Sequence, residues 1–195
     1  MDFLLDTYDT ERLKTLSVWS LVGDEHMEFR PAPRARTPHE HMVHQCVSED
    51  TWMRAMLGVE VARGALPPHE DRLAFIEHYA EVSADRLRQL RQHEPSWWNG
   101  TATFFDVQRS RAWIMVRRLT HSAHHRGQLT TMLRLIGRPL YSTYGPTADT
   151  GGLFLNGAPT MYRYDSLDDL RRGEAAGGVW PPLPGPGEKP PTERP

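Results

Sequence analysis

Three histidines fall within five residues in the stretch Thr120-His-Ser-Ala-His-His-Arg-Gly-Gln-Leu129, inside a segment whose other residues recur at helical spacing. At about 100° per residue, His121 and His125 lie roughly 40° apart and one turn along the same face, so both imidazoles can reach one divalent ion. His124 lies about 100° round from His125 and reads as a neighbour of the pair, not as a third ligand from this helix. An i, i+4 histidine pair also marks the zinc helix of metalloproteases, but no Glu follows His121, so the base which that chemistry uses is missing. A basic His/Arg patch is also what a solvated helix face looks like, and spacing alone leaves both readings open. Gly127 lies in the same segment. A glycine in a helix interior costs about 1 kcal/mol relative to alanine, so its presence here predicts the close approach of another helix or a ligand.

A pair of histidines needs further ligands, and the chain offers four helical segments to position them. Over residues 3–22, Leu4, Leu5, Tyr8, Leu13, Leu16, Trp19 and Leu21 form an apolar stripe, and the prolines of Glu28-Phe-Arg-Pro-Ala-Pro33 then hold an extended connector. Thr37-Pro38 is a start signal for a second helix over 38–57, with Met42, Cys46, Met53 and Met56 on its stripe. His44 sits mid-helix, with Glu40 and His41 one turn before it and Glu49, Asp50 and Trp52 after it. On its own, His44 reads as a core histidine with one hydrogen bond or as a ligand, and its helix does not decide between them. Cys46 is about 200° round from His44 and reads as a small buried apolar residue.

A third helix is predicted from Asp71 to about His93, and the fourth from about Val107 to Ile136, some 45 Å long at 1.5 Å per residue, stopped by Gly137-Arg-Pro139. Between them, Trp97-Trp-Asn-Gly-Thr-Ala-Thr-Phe-Phe105 is β-prone but has no visible partner strand, so an ordered connection is expected. The pattern predicts an all-α protein, a four-helix bundle over residues 1–150 whose core can hold a site made by facing helices. Residues 151–195 form a C-terminal extension, with one short capped helix at Ser166-Leu-Asp-Asp-Leu-Arg-Arg172. From Gly178 on, Pro181, Pro182, Pro184, Pro186, Pro190, Pro191 and Pro195 prevent regular structure, and deleting this Pro/Gly-rich tail is expected to change the melting temperature little.

Composition bounds the rest. A chain of 195 residues with 38% hydrophobic content builds one full core. A formal net charge of -2 gives no basic excess for nucleic acid. No apolar run approaches the ~20 residues of a membrane span, and Met1-Asp-Phe-Leu-Leu-Asp lacks the charged start of a signal peptide. With Cys46 the single cysteine, there is no internal disulfide, and a cytoplasmic location is expected.

Thr37 with His44 seven residues later, the string His121-Ser-Ala-His-His-Arg-Gly-Gln128 and the following Leu133-Arg-Leu-Ile-Gly137 together resemble the DinB-like (DinB/YfiT) family of bacterial metal-binding four-helix bundles, over roughly residues 1–150. The resemblance implies that His44, His121 and His125 are the metal ligands, that the ion is zinc or nickel, and that water fills the remaining positions. His124, Arg126 and Gln128 are then candidates to orient a ligand imidazole or to face a substrate. The activity implied is transfer of a low-molecular-weight thiol such as bacillithiol, mycothiol or glutathione to a small-molecule electrophile in stress response or detoxification. The alternatives are a non-enzymatic metal-binding bundle that forms a homodimer, and a metal-dependent hydrolase.

Overall fold

The computed structural model describes residues 1–188. In chain order its elements are α1 (Asp2–Ser20), α2 (Pro38–Leu57), α3 (Arg72–Leu90), α4 (Pro95–Asn99), β1 (Thr101–Phe104), β2 (Val107–Ser110), α5 (Arg111–Leu135) and α6 (Leu167–Ala175). Among the described residues the chain is mostly helical, with one small two-stranded sheet. No helix among them is long and apolar enough to cross a membrane.

Local chemistry sets the helix ends. At the start of α2, Thr37 Oγ1 accepts the Glu40 N–H at 3.1 Å while the Glu40 carboxylate accepts the Thr37 N–H at 2.9 Å, and Pro38 follows the cap. Asp71, Ser110 and Ser166 cap α3, α5 and α6 by accepting the N–H of Ala74, Trp113 and Asp169. Helix α2 ends at Gly58, whose φ of 66° is a left-handed conformation that costs glycine nothing.

The long helices pack α1 against α3 and α5, and α2 against α5 and α3. Two apolar cores result. One holds Leu16, Trp19, Met42, Cys46, Phe75, Tyr79 and Leu129; the other holds Leu4, Tyr8, Met53, Leu87, Leu90, Ile114 and Met115. Along each helix the two sets are interrupted by buried polar residues: Arg12 on α1, Glu49 on α2, Ser83 and Arg86 on α3, Arg118 and Ser122 on α5. The interior therefore contains a polar layer between its apolar halves, and the histidines of α2 and α5 sit beside that layer.

Two expectations are corrected. The aromatic connection does have a partner strand: β1 pairs antiparallel with β2, Thr101 opposite Ser110 and Phe104 opposite Val107. The turn is Phe105-Asp106, with Phe105 at φ 54°, a conformation usually signalled by glycine or asparagine, so the hairpin carried no turn signature. The ring of Phe104 packs edge-on against Trp52, with centroids 5.2 Å apart, and docks the hairpin on α2. The last long helix consequently starts at Arg111, not Val107, and its 25 residues span about 38 Å.

The second correction concerns the tail. Pro190, Pro191 and Pro195 lie outside the described residues, but the part before them is docked. The Trp180 ring lies 4.2 Å from the Arg163 guanidinium and 5.2 Å from that of Arg138, and the Tyr141 hydroxyl donates to the Pro181 carbonyl. Leu183 packs on the first core, and Gly185 exchanges backbone hydrogen bonds with Asp149 and Gly151. Burying parts of Trp180 and Leu183 contributes on the order of 2 kcal/mol. Truncation before Val179 is therefore expected to lower the thermal midpoint by about 4–8 °C in a calorimetric scan. An unchanged midpoint would show that these contacts contribute nothing.

Candidate metal centre

Helices α2 and α5 lie side by side, which brings His44 on the first against His121 and His125 on the second. The three rings turn their Nε2 atoms toward one point. His44 Nε2 is 3.4 Å from His121 Nε2, and His125 Nε2 is 3.3 Å from His121 Nε2. One donor atom from each of the three lies within 4.8 Å of the other two.

These distances can be tested against a metal. Zinc–nitrogen bonds of about 2.0–2.1 Å in a tetrahedron place neighbouring nitrogens about 3.3–3.4 Å apart, whereas adjacent positions of an octahedron would bring them to about 3.0 Å. The two separations, 3.4 and 3.3 Å, match the tetrahedral edge. The protonation state also fits. Burial, with Arg118 and His44 beside it, lowers His121 to about 4; burial, with His121 and His44 beside it, lowers His125 to about 3; burial and Arg36 lower His44 as well. All three imidazoles are thus neutral near pH 7 with lone pairs to donate, as ligation requires.

His41 is the residue that sequence reasoning missed. Its Nδ1 lies 3.2 Å from His125 Nδ1, and both rings are buried. If His125 offers Nε2 to a metal, its Nδ1 carries the proton and donates it to His41 Nδ1, which fixes both rings and the His41 tautomer. The signal was present, since His41 is three residues before His44 and shares its helix face. His121 has no such partner, its Nδ1 being buried without a hydrogen bond; its ring lies 5.5 Å from that of Trp52. Trp52 also receives the Arg118 guanidinium over its face at 5.5 Å. Arg118 in turn donates to Ser48 at 2.9 Å and Ser122 at 3.2 Å, tying the two histidine-bearing helices together.

The other candidates fall out differently. The His124 ring is 5.1 Å from that of His125 but its side chain is exposed, outside the converging group. Gln128 is exposed and lines a cleft together with His41. Arg126, expected to orient a ligand or a substrate, is turned away: it is buried against α1, with Nη2 2.5 Å from Glu11 Oε2 and a further hydrogen bond to the Tyr144 hydroxyl. Its helix position is one residue past His125, about 100° round, and that rotation aims it at another neighbour.

Gly127 corrects a further expectation. A methyl built at this exposed position meets nothing within 4 Å, so no other helix approaches it. Gly127→Ala should stabilise the protein by about 1 kcal/mol through helix propensity, leaving metal content unchanged. A lower denaturation midpoint for the variant would contradict this.

The metal-free protein should be acid-sensitive in a defined window. Burial first, then Arg36, lowers His41 to about 4, alongside the values of about 4 and 3 for His121 and His125 against an ordinary 6.5. As pH falls below 6.5 the unfolded chain takes up protons at these residues that the native state refuses, so stability present above that pH is lost progressively toward pH 3–4. Urea midpoints of the metal-free protein should fall between pH 7 and pH 5, and fall less in a His41→Gln/His125→Gln variant. Equal slopes would show that other groups control the acid limb.

Fold and site together define a class: a mostly helical protein with a three-histidine group, held between two long helices, that could bind a metal ion. The chain belongs to the DinB family, whose model matches residues 4–151. A DinB-like protein from Bacillus cereus shares the fold with a TM-score of 0.66 and 18% identity, covering 74% of this chain and 97% of that one. The DinB-like protein YjoA from Bacillus subtilis has a TM-score of 0.56 and 14% identity, covering 70% of this chain and 94% of that one. No curated protein matches.

Proposed function

We propose that this chain is a four-helix-bundle metalloprotein in which His44, His121 and His125 hold a zinc or nickel ion, and that it transfers a low-molecular-weight thiol of the bacillithiol, mycothiol or glutathione type to a small electrophile. The convergence of three neutral imidazoles at tetrahedral spacing carries this reading. Three such ligands would leave a divalent ion its full charge and an open position, and an ion so held would favour the thiolate form of a thiol beside it.

The chain's own residues prepare the rest. His41 keeps the His125 lone pair pointed inward by accepting from its Nδ1. Trp52 lies against His121, and the hairpin ring of Phe104 packs on Trp52, so aromatic surface borders the centre. Arg36 and Arg118 both act on His44, and the positive potential they create favours thiolate over thiol.

Incubating metal-loaded protein with bacillithiol and monochlorobimane should give conjugation faster than the metal-free protein and faster than His121→Ala protein treated with the same metal. A rate no higher than the metal-free control would sink the transferase reading and leave a bundle that uses its metal structurally.

A further inference from the structure

Beside the metal centre is a cleft of about 570 Å³ lined by Pro31, Arg34, Ala35, Arg36, His41, Gln128, Thr131, Met132 and Leu135. Its wall is of two kinds. The connector before α2 contributes two guanidiniums, while Pro31, Ala35, Met132 and Leu135 contribute apolar surface. No carboxylate lines it.

The arginines of this connector differ in what they do. Arg30 is committed, donating to both Glu40 carboxylate oxygens, at 3.0 and 2.7 Å. Glu40 is committed as well, since the same carboxylate accepts the Thr37 N–H. Arg34 and Arg36 make no ion pair and no side-chain hydrogen bond among the described residues. Two guanidiniums on one cleft wall, with the Glu40 carboxylate already engaged by Arg30 and Thr37, repel each other and gain from an anion placed between them. Arg36 also lies close enough to act electrostatically on His41 and His44, so the cleft and the metal centre share one positive field.

We propose that this cleft is the recognition site for an organic anion, whose carboxylate or phosphate group is held by Arg34 and Arg36 and whose apolar body lies against Met132 and Leu135. The inference rests on the metal-centre reading only in making the bound anion a substrate of that centre. It names the chemical class of that substrate: a small amphiphilic acid. Gln128 gains a role by its position, supplying an amide to the lining of the same cleft.

The test uses the full chain loaded with zinc and two probes of equal shape, 4-phenylbutyrate and neutral 4-phenylbutan-1-ol, titrated calorimetrically. The acid should bind on the order of tenfold more tightly than the alcohol, the range of a charge-assisted hydrogen bond. The preference should weaken as salt rises, vanish in Arg34→Gln/Arg36→Gln and persist in Arg34→Lys/Arg36→Lys. Because both side chains are exposed and unpaired, the variants should melt with the wild type. Equal binding of the two probes, or a preference for the acid that survives the double Gln variant, would overturn the proposal. In parallel, cobalt-loaded protein with 2-mercaptoethanol should show a thiolate-to-cobalt absorption band. Loss of the band with retained acid preference sinks the thiol reading alone, and a band without acid preference sinks the cleft alone.

Discussion

Alanine at His44, His121 or His125 should lower zinc affinity by about a hundredfold in each case. Apparent binding energies of about 10–16 kcal/mol over four ligands make each imidazole worth about 3 kcal/mol, and 1.4 kcal/mol is tenfold. His124→Ala should keep wild-type affinity within a small factor, because that ring is exposed and outside the converging group. His41→Ala belongs in between. It removes the acceptor 3.2 Å from His125 Nδ1, and loss of a partner that orients a metal-bound histidine costs roughly 10–100-fold. Competition with a chromogenic chelator measures all five. A loss at His124 equal to that at His121 would mean that the wrong pair of α5 histidines has been taken as the site.

The i, i+4 spacing of His121 and His125 was legible because a helix converts sequence distance into direction without help from the rest of the fold. His44 was not legible in that way, since its approach to the pair depends on α2 lying beside α5, a fact of packing; the family resemblance pointed to it first, and its Nε2 lies 3.4 Å from that of His121. Capping residues Thr37, Asp71 and Ser166 announced their helices because they bond only to their own first turn. The hairpin stayed hidden because Phe105 adopts a positive φ without being glycine or asparagine, and Val107-Gln-Arg-Ser110 suits a helix start as well as a strand. The polar layer was hidden for a related reason. Glu49, Arg86 and Arg118 fall between apolar residues as solvated charges do, and only their convergence from three helices shows that they pair with each other inside, while Arg12 joins the layer through Ser83.

Glu49 is where that layer is most exposed to test. Its carboxylate is fully buried, accepts hydrogen bonds from Tyr8 at 2.6 Å and Tyr79 at 2.7 Å, and faces Arg86 at 3.3 Å and Arg118 at 3.7 Å. Burial opposes its charge, but Arg118 and Arg86 with the two hydroxyls outweigh that and hold its pKa below the ordinary value. Glu49→Ala strands two buried guanidiniums, leaving Arg86 with Asp50 at 3.1 Å and Arg118 with only the Ser48 and Ser122 hydroxyls, and breaking a buried pair from one side costs about 3–5 kcal/mol. A domain stable by about 5–15 kcal/mol would lose a large share of its margin, visible as a collapse of the urea midpoint. Replacing the three charged residues, as Glu49→Leu with Arg86→Met and Arg118→Met, should recover part of that loss, because well-packed apolar residues of similar volume commonly match a buried ion pair, while the Tyr8 and Tyr79 hydroxyls are left without their acceptor. The same triple variant should still bind metal more weakly than wild type, since it loses Arg118 as the tie between Ser48 on α2 and Ser122 on α5, the helices that carry the three histidines. A Glu49→Ala protein as stable as wild type would mean that the layer is not a paired network. A recovered triple variant with undiminished zinc affinity would mean that α2 and α5 hold the histidines in register without it.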